Sequence, residues 1–170
     1  MQEAKLVWSK VVRISHWLIV AIVSLNLFFL EEGDAWHRYL GYAAVLILIC
    51  RVLYKFSSNR LDSVKKFPLS YSSLSLFLKN LIRKKHLDYE GHNPAASWTY
   101  VLIWTLIFLL ALSGWLMGLD QFWGDDWIKN LHHLFSLGLE LLVLVHFLGL
   151  TIDSIQKKRK SWLAMITGKK

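Results

Sequence analysis

Polar and apolar residues in this chain are sorted into long blocks rather than mixed. Four blocks are almost wholly apolar. The first is Val11–Leu30, uncharged from Ile14 onward. The second runs from about His37 to Tyr54, with Arg38 and Arg51 near its ends. The third, Trp98–Met117, carries no charge, and the fourth, Leu131–Ile152, is interrupted only by Glu140. A bilayer core of about 30 Å takes roughly 20 helical residues. Lipid offers the backbone no hydrogen-bond partners, so only helices and closed barrels span it, and these blocks lack the alternation of barrel strands. The pattern therefore predicts an all-α integral membrane four-helix bundle. It forms one domain over 1–170, with spans at about 11–30, 37–55, 97–118 and 131–153. The second block is somewhat short, so its ends must snorkel or pack on neighbours.

The charges separate in the same way. The chain carries a formal +8, and eighteen of its twenty Lys and Arg lie in three regions: the N-terminal segment, the stretch from Arg51 to Lys85, and the stretch after Asp153. The connections Glu31–Trp36 and Leu119–Asn130 are acidic, with Glu31, Glu32, Asp34, Asp120, Asp125 and Asp126. The positive-inside rule puts both termini and the long middle loop in the cytoplasm, and an even number of spans agrees, since it leaves both termini on one side. Trp36, Trp123 and Trp127 then sit at the outer boundary as interfacial aromatics. Segregated charge of this kind speaks against a nucleic-acid binder, whose cations would be interleaved with the fold.

Two polar-flanked segments remain. FPLSYSSLSLFLKNLIRKK in the middle loop and SWLAMITGKK at the end each read either as a short amphipathic helix on the inner surface or as solvated loop. The N-terminus lacks the small-residue cleavage site of a secretory signal. The single cysteine, Cys50, offers no disulfide or zinc framework and reads as a buried small apolar residue.

Histidine carries the chemical information. His86 and His92 fall in the basic middle loop, whereas His16, His37, His132, His133 and His146 fall in or at the ends of spans. Ionisable residues in spans are rare and usually functional. A lone membrane histidine is as often a hydrogen-bonded packing residue as a ligand; several in one small chain change that balance. His132 and His146 are fourteen residues apart, nearly four helical turns, so they share a face and stand about 21 Å apart along the axis. His37 opens the second span at the outer boundary, level with His132. His16 lies about fourteen residues before the outer end of the first span, level with His146. Two pairs follow, His37 with His132 and His16 with His146. Imidazole is a standard axial ligand of haem iron. Two imidazoles on opposing helices fill both axial positions, which suits electron transfer rather than oxygen activation. His133 points about 100° away from His132 and is the poorer ligand candidate.

Small residues would let a macrocycle approach the backbone: Gly41, Gly138, Ser24 and the pair Ser113–Gly114 are candidates, although such glycines also serve plain helix packing. Haem propionates call for cations, and Arg13 and Arg38 are placed to meet them, or else to act as boundary charges. Glu140, in mid-span, reads as a neutral carboxyl bonded to a neighbour, with a proton relay as the rival role.

These residues carry a resemblance. RISHW at Arg13–Trp17, HRYLGY at His37–Tyr42, GHNPA at Gly91–Ala95, LHHLFSLGLELLVLVH at Leu131–His146 and the tail AMITGKK together resemble the prokaryotic cytochrome b561 family, in order and nearly end to end. GHNP and AMITG resemble the branch whose members act beside cytochrome c or hydrogenase-type partners. The resemblance implies a bacterial inner-membrane protein with two haem b groups, moving electrons between the quinone pool and another redox partner. It places the four axial histidines on His16, His37, His132 and His146. One departure is that the family usually has an acidic residue at the position of His133. His92 would be structural or part of a quinone site.

The reading is thus of a transmembrane electron carrier. Its expected contacts are membrane lipid, quinone or quinol, and a c-type cytochrome or oxidoreductase subunit. A homodimer is compatible, and no nucleic acid is expected. A second reading is a superoxide oxidase that passes electrons to quinone, which the acidic outer loops disfavour because they repel an anion. A third is a haem-free membrane scaffold or binding protein.

Overall fold

The structure, a computed structural model, describes residues 7–57, 67–83, 89, 92–158 and 160–169. His86 and Gly91 of the basic middle loop lie outside the described residues. Among the described residues six α-helices follow in order: α1 Lys10–Phe28, α2 Ala35–Ser57, α3 Tyr71–Ile82, α4 Pro94–Leu116, α5 Asp126–Gln156 and α6 Ala164–Thr167. Short 3-10 turns at Asp120–Phe122 and Ser161–Leu163 lead into α5 and α6. Among the described residues there is no strand. Four of the helices (α1, α2, α4 and α5) are long and apolar enough to cross a membrane.

Local sequence explains where these helices begin. Ser9 caps α1 by accepting from the Val12 amide at 3.4 Å. Asn93 caps α4 by accepting from the Ala96 amide at 2.7 Å, and Pro94 follows at the first helical position, where its missing N–H costs nothing. The asparagine and proline of the GHNP run are therefore a helix-start signal. Two spans are longer than the hydropathy blocks suggest. α2 has 23 residues, so the shortfall expected there does not arise. α5 starts at Asp126, ahead of the apolar block, because Ile128 is buried to 1% exposure and anchors an extra turn.

Packing is built from two hairpins. α1 lies against α2 and α4 against α5, while α2 and α4 join the pairs. The backbone of α5 does not approach α1 or α2 along any extended stretch among the described residues. At mid-height, Ile19 and Ile22 of α1, Ala44 and Leu48 of α2, Ile107 of α4 and Leu139 of α5 close into one apolar cluster. The outer faces are the reverse of a soluble protein: Phe28 is 73% exposed, Leu46 63% and Leu148 62%. Such surface is stable only against lipid, where the bundle's cohesion comes from close packing rather than from hiding apolar area from water. Cys50 corrects the expectation of burial. It is exposed on α2, on the side away from the core residues Ala44 and Leu48.

Both polar-flanked segments form helix. α3 is capped by Ser70, which accepts from the Ser73 amide at 3.1 Å, and packs on α4. The tail folds back to the start of α1. Val7 and Trp8 donate to the Gly168 carbonyl at 2.9 and 3.0 Å, and Gly168 ends α6 with φ 81°, a left-handed cap that favours glycine.

Candidate functional site

The four histidines fall into two facing pairs. His16 on α1 and His146 on α5 have ring centroids 6.4 Å apart, and His37 on α2 and His132 on α5 have theirs 6.3 Å apart. The mid-height apolar cluster separates the pairs. Each pair bridges the gap that α5 keeps from α1 and α2. A metal–imidazole bond is about 2 Å, so two imidazoles on opposite sides of one metal stand with ring centres roughly 6 Å apart. Edge-on aromatic packing spans the same distances, and the repetition of one spacing in two storeys is what sets this arrangement apart.

The outer pair opens on a cavity of about 540 Å³. Its walls include both histidines, Gly41, Gly114, Arg38 and Glu140. A side chain added at Gly114 would meet the His132 ring at 3.6 Å, whereas one at Gly41 would meet only the Asn26 amide at 3.9 Å. These two glycines keep the walls flat. Gly138 does something else: its missing side chain makes room for Leu106 of α4, at 3.4 Å from where a Cβ would stand. That is helix packing.

Hydrogen bonding fixes the His132 ring. The Ser113 hydroxyl donates to the Leu109 carbonyl at 2.8 Å and lies 2.8 Å from His132 Nδ1. A hydroxyl has one proton. With that proton given to the backbone, Ser113 Oγ accepts from Nδ1–H, and the ring is left with a bare Nε2. That is the tautomer a metal-binding imidazole needs, and such an outer partner normally sets it. His37 Nδ1, in contrast, is buried with no hydrogen-bond partner among the described residues, although Asn26 donates to the His37 carbonyl at 3.2 Å. His133 turns away to an exposed contact with Glu32 at 3.6 Å, so the structure pairs His132 and not His133 with His37. Glu140 is exposed and receives a hydrogen bond from Ser136 at 3.4 Å.

The inner pair sits in an aromatic cage. Tyr100 lies 6.1 Å from His146 and 5.1 Å from His92. His92, 8% exposed, also packs on Trp8 at 4.6 Å and Phe67 at 4.4 Å. Arg13 also reaches the tail: one of its guanidinium nitrogens donates to the Ile166 carbonyl, and Trp17 Nε1 donates to the Met165 carbonyl at 3.2 Å. The residues around His16 in RISHW thus grip the AMITG tail.

The residue that sequence reasoning missed is Arg51. It reads in sequence as a charge near a span end, yet it is 2% exposed and its guanidinium lies 5.8 Å from the centre of the Trp104 ring. Its signal is the fourteen-residue interval from His37, the same interval that separates His132 from His146. That interval puts Arg51 on the face of α2 that carries His37, about 21 Å deeper.

Membrane-crossing helices with facing imidazoles between them define the class of the membrane cytochromes. The chain belongs to the prokaryotic cytochrome b561 family, whose model matches residues 7–168. Membership makes it a multi-pass membrane protein of electron transport that binds haem b. No curated protein and no solved structure matches the chain.

Proposed function

We propose that the whole chain acts as a single dihaem unit of the bacterial inner membrane, with both termini cytoplasmic. His16 and His146 hold the inner haem b, and His37 and His132 hold the outer one. The single observation that carries this reading is the matched spacing of the two pairs, 6.4 and 6.3 Å, on helices kept apart at both storeys. The orphaned His37 Nδ1 and the glycine-walled cavity support it at the outer storey.

Haem supplies one-electron chemistry when bound. The chain supplies the rest. Each pair of histidines would hold the group from both sides and leave no place for dioxygen or substrate to bind. Ser113 holds His132 in the ligating tautomer. Gly41 and Gly114 admit a flat ring, and Arg38 lines the same cavity as a cation for a propionate. Ile19, Ile22, Ile107 and Leu139 keep water out between the storeys. Arg13 and Trp17 hold the tail against the helix that presents His16.

Electrons would pass between quinone or quinol in the bilayer and a c-type cytochrome or oxidoreductase subunit, in a monomer or homodimer. The superoxide reading loses ground at the outer storey. Glu31 and Glu32, in the acidic outer connection, line the cavity there and would repel an anion.

A dithionite-reduced minus oxidised spectrum with pyridine haemochrome counting tests the proposal. Two haem b per chain are expected. His16→Ala or His146→Ala should remove one, and His37→Ala or His132→Ala the other. One haem per purified wild-type chain, or a full complement retained by His16→Ala, would refute it.

A further inference from the structure

The inner storey contains a buried cation that none of these roles uses. Arg51 is 2% exposed, although it sits in a helix whose other charges lie toward its ends. Burying a guanidinium in an apolar bundle is costly unless anions or hydrogen-bond acceptors meet it. Its place is specific. Its guanidinium lies 5.8 Å from the centre of the Trp104 ring, which is itself 6.2 Å from the Tyr100 ring. Tyr100 in turn lies 6.1 Å from His146. One guanidinium therefore stands beside the site that the inner histidine pair defines, on α2, the helix that supplies no inner ligand. The outer storey has carboxylates where the inner one has this cation: Glu31, Glu32 and Glu140 line its cavity.

We infer that Arg51 is the carboxylate-holding residue of the inner haem site, binding a propionate and raising the potential of that haem. The inference rests on the dihaem proposal above. A guanidinium carries five N–H donors in a rigid fork, so it can engage a propionate while keeping protein partners. Its charge disfavours the ferric state, which carries one more positive charge than the ferrous. The inner haem is then the higher-potential member of the pair, and an electron entering at the outer storey comes to rest on the inner one. Arg38, exposed at the rim of the acidic outer cavity, has no comparable leverage, because water screens it.

The test is a spectroelectrochemical titration of purified holoprotein, wild type against Arg51→Met and Arg51→Lys. The inner wave is the one that His16→Ala abolishes. Resonance Raman spectra of the same samples report the propionate-bending band. Arg51→Met should lower the inner midpoint and shift that band, leave the outer midpoint in place, and lower the inner midpoint more than Arg51→Lys does. If Arg51→Met sheds the inner haem, retention of it by Arg51→Lys carries the same conclusion. An unchanged inner midpoint or propionate band in Arg51→Met, or equal effects of the two substitutions, overturns the inference. A wild-type chain with fewer than two haems would instead overturn the dihaem proposal on which it stands.

Discussion

At the scale of single residues, the two storeys are held by different means. His132 has its tautomer set by Ser113, whose only proton goes to the Leu109 carbonyl. Ser113→Ala removes that acceptor and lets the ring turn or protonate on the wrong nitrogen. Losing such an outer partner typically weakens metal affinity about 10- to 100-fold. Ser113→Ala should therefore speed loss of the outer haem to an acceptor protein by roughly that factor, while the inner haem stays in place. Equal loss from both sites would mean that the bundle itself had loosened. Gly41 gives a steric counterpart. It lines the outer cavity, and nothing closer than the Asn26 amide at 3.9 Å would meet a Cβ there. Gly41→Ala should be tolerated, and Gly41→Leu should fill the space and halve the haem content without unfolding the protein, as read from pyridine haemochrome counting beside circular dichroism. The four histidines were legible because helical periodicity fixes both face and depth. Ser113 was legible only as a small residue. Its bond to His132 crosses from α4 to α5, and one sequence does not reveal the rotation of one helix against another.

At the scale of elements, the hydropathy blocks locate all four long apolar helices, whose ends do not coincide with the ends of the blocks. Ile128 is buried ahead of the apolar block, and α5 lengthens to include it. Cys50 shows the same limit: an apolar run shows that a helix lies in lipid, but not which residues face its neighbours. The cap of α4 makes a second quantity measurable. Asn93 satisfies the Ala96 amide, and replacing a capping asparagine by alanine costs on the order of 1 kcal/mol. Asn93→Ala should lower the thermal midpoint by a few degrees and leave both haem midpoints unchanged, since its side chain touches neither histidine pair. The tail clamp behaves differently because it sits beside His16, the proposed inner ligand. Arg13→Leu frees the Ile166 carbonyl and loosens the tail near His16. Protease cleavage after the tail lysines should accelerate in that variant, with haem content retained if Arg13 serves the tail alone.

At the scale of the whole molecule, charge carries the proposed orientation. Lys and Arg are concentrated in the sequence in the terminal segments and in the stretch from Arg51 to Lys85, whereas the connections Glu31–Trp36 and Leu119–Asn130 are acidic. Moving the α2–α4 region or either terminus outward would carry many Lys and Arg across the membrane against its potential, about 2.3 kcal/mol per charge per 100 mV. The expected topology follows, and single cysteines can read it. Gln121, exposed in the connection between α4 and α5, and Lys160, exposed beyond α5, mark the two ends. In intact spheroplasts a membrane-impermeant maleimide should label Gln121→Cys and spare Lys160→Cys, which should label only after lysis. Cys50 should stay silent in both preparations, because it lies on the apolar outer face of a membrane-crossing helix, where a polar, membrane-impermeant reagent does not reach. Labelling of Lys160→Cys in intact cells would invert the molecule. The Arg51 storey would then lie at the outer surface, and the electron's expected path would run the other way.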